Sequence, residues 1–83
     1  MVDLPLSGQR VDLDQGAVAW WPCHIGKNAE IGPDCTIGAL AHIGQNVVLG
    51  RGCKVQGSAY IADECVLGDG VFIGPSAVLL NDK

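Results

Sequence analysis

Basic residues are scarce in this 83-residue chain: five Lys and Arg stand against nine Asp and Glu, for a formal net charge of −4. The five, Arg10, Lys27, Arg51, Lys54 and Lys83, are scattered along the chain, and that excludes a nucleic-acid surface. No apolar run approaches membrane-spanning length, and the N-terminus carries neither a basic region nor a secretory core. The expectation is a soluble, cytoplasmic protein. Histidine is also rare, with only two residues, so any site needing three imidazoles from one chain is excluded.

What the sequence does have is a period of six. Nine hexads follow one another without a break from Ile25: IGKNAE, IGPDCT, IGALAH, IGQNVV, LGRGCK, VQGSAY, IADECV, LGDGVF and IGPSAV, with a tenth beginning at Leu79. Each reads aliphatic, usually Gly, two turn residues, small, free. In a strand, residues two apart share a face, so the small fifth residue and the next aliphatic first residue point inward together, while the sixth between them faces out. Each hexad is then one short strand and one turn, and an unbroken array of them is a parallel β-helix. The fourth positions are mostly Asn, Asp, Gly or Ser, which tolerate tight or left-handed backbone. Leu40 and Glu64 stand out as poor residues for such a turn.

The repeat resembles that of the bacterial hexapeptide-repeat acyltransferases, whose left-handed β-helix completes one triangular coil with three hexads. Handedness enters only through that resemblance, because parallel crossovers are otherwise right-handed. The implied fold is all-β, a left-handed parallel β-helix of about four coils forming a single domain over 1–83. Extending the register backward gives AWWPCH at Ala19, LDQGAV at Leu13 and a weaker SGQRVD at Ser7. Residues 7–83 read as the array, which breaks off in mid-hexad at Leu80–Lys83, and residues 1–6 as an N-terminal cap in which Pro5 removes a strand donor.

With three hexads per coil, residues eighteen apart stack at a strand spacing of about 4.8 Å. The expected small inward ladders are Cys23, Ala41, Ala59, Ala77; Cys35, Cys53, Val71; and Val11, Ala29, Val47, Cys65. The aliphatic ladders are Ile25, Ile43, Ile61, Leu79; Leu13, Ile31, Leu49, Leu67; and Ala19, Ile37, Val55, Ile73. All four cysteines take the small inward position that Ala and Val fill elsewhere. They read as packing residues with free thiols, and neither a disulfide framework nor a metal set is expected.

Outward sixth positions form three columns: His24, His42, Tyr60, Val78; Glu30, Val48, Val66; and Thr36, Lys54, Phe72. As a set, Val48, Tyr60, Val66, Phe72 and Val78 are too apolar for a solvated exterior, and they predict a subunit interface. His24 and His42, one coil apart on the same edge, are the candidate catalytic residues. Histidine has the basicity to take a proton from an attacking amine or hydroxyl in acyl transfer. A histidine that only hydrogen-bonds a neighbouring chain is the structural alternative. Asn28, Gln45 and Asn46 lie in nearby turns, as candidate substrate-binding residues or as simple turn formers.

The segment from Trp20 to His24, the Gly44-Gln45-Asn46-Val47 turn and the stretch around Gly74, Pro75 and Val78 are similar to the N-terminal part of the nucleotide-sugar N-acetyltransferases of surface-polysaccharide synthesis. That resemblance implies Trp20, His24, Gln45 and Asn46 as site residues, acetyl-CoA as acyl donor, a sugar acceptor and a homotrimer. Two other readings stand beside it. One is a non-catalytic trimeric scaffold, supported by an array with no inserted loop. The other is a zinc enzyme similar to the γ-class carbonic anhydrases, which would need three protein ligands supplied across a subunit interface.

Overall fold

The computed structural model describes residues 8–81, so the expected cap over residues 1–6 lies outside the described residues. Among the described residues twelve strands run in chain order: β1 Gln9–Asp12, β2 Val18–Trp21, β3 His24–Ile25, β4 Glu30–Ile31, β5 Thr36–Ile37, β6 His42–Ile43, β7 Val48–Leu49, β8 Lys54–Val55, β9 Tyr60–Ile61, β10 Val66–Leu67, β11 Phe72–Ile73 and β12 Val78–Leu79. Successive strands turn onto successive faces, so each face collects every third strand. The first face is β1-β2-β5-β8-β11, the second β3-β6-β9-β12 and the third β4-β7-β10. From β2 onward all pairings are parallel and join residues eighteen apart, as in Ile25↔Ile43↔Ile61↔Leu79. The result is a parallel β-helix with three complete coils and two strands of a fourth. Among the described residues no helix is long and apolar enough to cross a membrane.

The core is the inside of this prism. Ile37, Ile43, Val47, Cys53, Val55 and Ile61 are wholly buried, and among the described residues no polar or charged side chain is buried beside them. Ala17, one residue before the strand that pairs with β5, is buried too and extends the ladder of Cys35 and Cys53. The thiols do more than fill space. Cys35 Sγ donates to the Gly50 carbonyl at 3.0 Å, and Cys53 Sγ to the Gly68 carbonyl at 3.1 Å. All four cysteines are free.

Why glycine recurs at the second position follows from the coil-to-coil hydrogen bonds. The N–H of Gly32 donates to the Leu49 carbonyl one coil on at 2.9 Å, and Gly26 does the same to Ile43 at 2.8 Å. These bonds pull the backbone so close to the next coil that a Cβ on Gly32 would lie 2.5 Å from the Gly50 oxygen. Gln56 and Ala62 carry side chains at this position and still donate to the Ile73 and Leu79 carbonyls at 2.9 Å, so it is the local closeness of the next coil's backbone, as at Gly32, and not the bond itself that demands glycine.

Every fourth position of the nine hexads has a positive φ, from 59° at Asn46 and Ser76 to 71° at Gly70. Leu40 at 64° and Glu64 at 67° adopt it as well. The corner needs a left-handed residue to turn the chain onto the next face, and its N–H then donates to the coil before, as Asn46 does to the Lys27 carbonyl at 2.9 Å. Closing the coil therefore overrides residue preference. Leu40 is 65% exposed, so its side chain recovers little of the cost of that conformation. Leu40→Asn is expected to stabilise the chain by about 1 kcal/mol, because Asn tolerates the left-handed region that a branched apolar residue resists. Denaturant unfolding of the two proteins checks it.

One expected coil is not a coil. The hexad at Ser7 was to extend the array, with Val11 in the inward ladder; instead β1 pairs antiparallel with β2, Val11 opposite Ala19, and Val11 is 43% exposed. A 3-10 turn at Asp14–Gly16 reverses the chain, with Gln15 and Gly16 both at positive φ. The Leu13 N–H closes the reversal on the Ala17 carbonyl at 2.8 Å. Leu13 keeps its expected place against the core.

Candidate functional site

Parallel pairing without stagger places equivalent side chains directly above one another, at a spacing close to that of stacked rings. On the second face this produces a ring column. The imidazoles of His24 and His42 have centroids 4.6 Å apart and planes within 11°, and Tyr60 lies 4.5 Å beyond His42 at 7°. Val78 continues the column, opposite Tyr60. Stacking engages the ring faces only. The imidazole nitrogens carry their lone pairs and protons in the ring plane, so the stack itself does not occupy their hydrogen-bonding edges.

The corner between the second and third faces carries the polar candidates. Asn28 and Asn46 hold the left-handed corner positions of successive coils, at φ 61° and 59°, and both are exposed. Gln45 also sits there; its backbone N–H donates to Asp63 Oδ1 at 3.0 Å, and its carbonyl accepts the Glu64 N–H at 2.9 Å. The turn explains Asn28 and Asn46 by conformation alone, while leaving their amides at the rim. Trp20 is elsewhere. It lies in β2 on the first face, opposite Arg10, and makes no ring contact with either histidine.

Next to the column is a feature that the histidine spacing alone does not reveal. Tyr60, Ala62, Asp63, Glu64 and Asn81 line an open cleft of about 420 Å³. Its walls are held by hydrogen bonds between coils: Asp63 by the Gln45 N–H, and Asn81 by donation from Nδ2 to the Asp63 carbonyl at 2.9 Å. The signal for Tyr60 is plain in retrospect, since it stands eighteen residues after His42. On the opposite corner Asp69 binds the Arg51 N–H in the same way at 2.9 Å, so an Asp at the third position serves generally to satisfy a donor one coil below.

Among the described residues no group of three or more His, Cys, Asp and Glu is placed to hold a metal ion. Two of the cysteines are held protonated by their surroundings. Burial pushes the Cys35 and Cys23 thiols above their ordinary value of 9.0. Unfolded thiols ionise at that ordinary value and the folded ones only above it, so the native state holds more protons in between. Stability is therefore fully present below pH 9.0 and falls as pH rises through the folded value. Cys35→Ala is expected to flatten this alkaline decline in urea melts. Cys35 and Cys53 are expected to resist thiol reagents near neutral pH until the chain unfolds.

A family model described as bacterial transferase hexapeptide (six repeats) matches residues 22–51 and 46–81. Neither a curated protein nor a solved structure matches the chain.

Proposed function

We propose, for a chain that belongs to the bacterial transferase hexapeptide family, an acetyl-CoA-dependent acetyl transfer to the amine or hydroxyl of a sugar, including a nucleotide-linked one. The observation that carries this reading is the stacked pair on an outward face, His24 exposed and His42 half-buried. In the reaction the acceptor nitrogen or oxygen attacks the thioester carbonyl, a C–N or C–O bond forms and the C–S bond breaks. A histidine takes the acceptor proton and passes it to the departing thiolate, so that acetylated sugar and the free CoA thiol leave. Asn28, Gln45 and Asn46 supply amides at the neighbouring corner that can hold the acyl or sugar oxygen.

A homotrimer belongs to the same reading. The outward residues Val66, Phe72 and Val78 are all more than half exposed, one on each face of the prism, and three prisms packed about a threefold axis would bury the columns on the faces turned toward that axis. The mass of the chain is 8.6 kDa, so light scattering should return three times that value. A monomeric mass at micromolar concentration would overturn the assembly.

A non-catalytic scaffold is the second reading, favoured by the uniformity of the array: from β3 to β12 each connection is one four-residue turn, with no loop inserted to carry a catalytic group. One experiment separates the two. The full chain is incubated with acetyl-CoA and a panel of amino sugars and their nucleotides, and both thiol release and product mass are followed. Acceptor-dependent release with a product heavier by one acetyl group supports the enzyme. No release above background, together with no acetyl-CoA binding by calorimetry, selects the scaffold.

A further inference from the structure

We infer that Tyr60 is a positioning residue: its ring fixes the plane of the His42 imidazole and so the direction in which that imidazole meets a proton; this rests on the acyl-transfer reading above. Placement comes first. β6 and β9 pair in register with His42 opposite Tyr60, and each ring is rooted between two buried neighbours, Ala41 and Ile43 on one strand, Ala59 and Ile61 on the other. The core thus sets both roots. The backbone adds to this, because the His42 N–H donates to the Ala59 carbonyl and the Tyr60 N–H to the Ala77 carbonyl, both at 2.8 Å. His24 is rooted less deeply, between Cys23 and Ile25, which are only partly buried. The firm end of the column is therefore the Tyr60 end.

Orientation follows from the rings. The terminal torsion of an imidazole is broad and roughly twofold, so an outward histidine with no neighbour does not fix where its nitrogens point. His42 has a neighbour on each face. His24 lies at 4.6 Å and 11°, Tyr60 at 4.5 Å and 7°, and turning the imidazole out of the shared plane drives its edge into one of them. Its nitrogens lie in that plane, so they are aimed sideways across the face instead of along the column. A base that has to come within hydrogen-bond reach of an acceptor proton gains from a single aim.

The ring of Tyr60, and not its hydroxyl, makes the contact with His42. Phenylalanine can therefore replace it. An aliphatic side chain cannot, because it offers no flat face to hold the imidazole plane; Val78, next in the column, is of that kind, and the aromatic run ends at Tyr60.

The test compares Tyr60→Phe and Tyr60→Leu with the parent chain in two measurements. Tyr60 is outward and 41% exposed, so both variants should keep the parent circular dichroism. The first measurement needs no substrate: the Cε1–H and Cδ2–H resonances of both histidines are read in one mildly alkaline buffer. Loss of a ring lying face to face with His42 removes its upfield ring-current shift. Tyr60→Leu should move the His42 resonances downfield and those of His24 far less, while Tyr60→Phe leaves both near their parent values. The second is acetyl-CoA turnover with the acceptor found in the sugar panel. Tyr60→Leu is expected to lower kcat about tenfold with KM for acetyl-CoA kept within about twofold, and Tyr60→Phe to restore it. Equal losses in both variants, a rise in KM at unchanged kcat, or His42 resonances that ignore the loss of the ring would each overturn the assignment. Moved resonances without turnover in the parent remove the transfer reading and keep the hold on His42. Turnover with unmoved resonances does the reverse.

Discussion

Gly32→Ala destabilises the chain by about 3 kcal/mol, roughly a hundredfold in the folded-to-unfolded ratio, although it adds a single methyl group. The new Cβ would lie 2.5 Å from the Gly50 oxygen, 2.6 Å from the Gly50 carbon and 2.6 Å from the Leu49 oxygen. All three are backbone atoms of the next coil, so no side chain can swing aside. Relief requires lifting that coil, which weakens the hydrogen bond from Gly32 to Leu49 and opens the core around Ile31 and Leu49. The effect is steric rather than conformational, since Gly32 does not occupy the left-handed region. Gly68 supplies the control: it occupies the same hexad position, and a Cβ there would meet nothing within 4 Å. Gly68→Ala is expected to stay within about 0.5 kcal/mol of the parent. Urea unfolding of both variants checks the contrast, and equal stabilities would show that coil spacing yields to a methyl group.

His24→Ala and His42→Ala are each expected to lower acetyl transfer by about a hundredfold, the range typical of a lost general base. Assembly and far-ultraviolet circular dichroism should be unchanged, because both side chains point outward and neither fills the core. The stack makes a sharper statement possible. His42 lies between His24 and Tyr60, so removing it also removes the contact that orients each of them. The double variant should then be no slower than the poorer single one, the non-additivity expected of groups that act as a unit. Full activity in either single variant would take that histidine out of the proton transfer. Independent, multiplying losses would mean that the stack is incidental.

Most of the architecture was legible because one period carried it. A six-residue repeat of aliphatic and small positions fixes which side chains face inward, and the eighteen-residue pairings of Ile25, Ile43, Ile61 and Leu79 follow from three hexads per coil. The first hexad was misread for an instructive reason. Val11 and Leu13 have the right types at the right spacing, yet composition does not reveal that Gln15 and Gly16 would turn the chain back on itself. Leu40 and Glu64 were obscure in the opposite sense. Their corners demand a left-handed residue regardless of what the sequence offers, so residue preference was a poor guide.

The site was partly legible. Spacing placed His24 over His42, and the structure adds that their rings are parallel and that Tyr60 completes the column. Trp20, carried over by resemblance, lies apart from that column on the first face. The cleft was hidden because it depends on rotamers at Asp63 and Asn81, residues eighteen apart whose roles emerge only when the coils are stacked.

The reversed strand β1 has a consequence for crowded solutions. A stack of parallel coils is a template for its own elongation, since any exposed rung offers the register that a further copy could adopt, which is how cross-β fibres grow. Along the first face that template is interrupted: β1 runs against β2, and its side chains from Gln9 to Asp12 are all exposed. A second molecule arriving there meets the wrong strand polarity and cannot prolong the column of Ala19, Ile37 and Val55 in phase. The hairpin thus breaks the parallel register at that end of the first face.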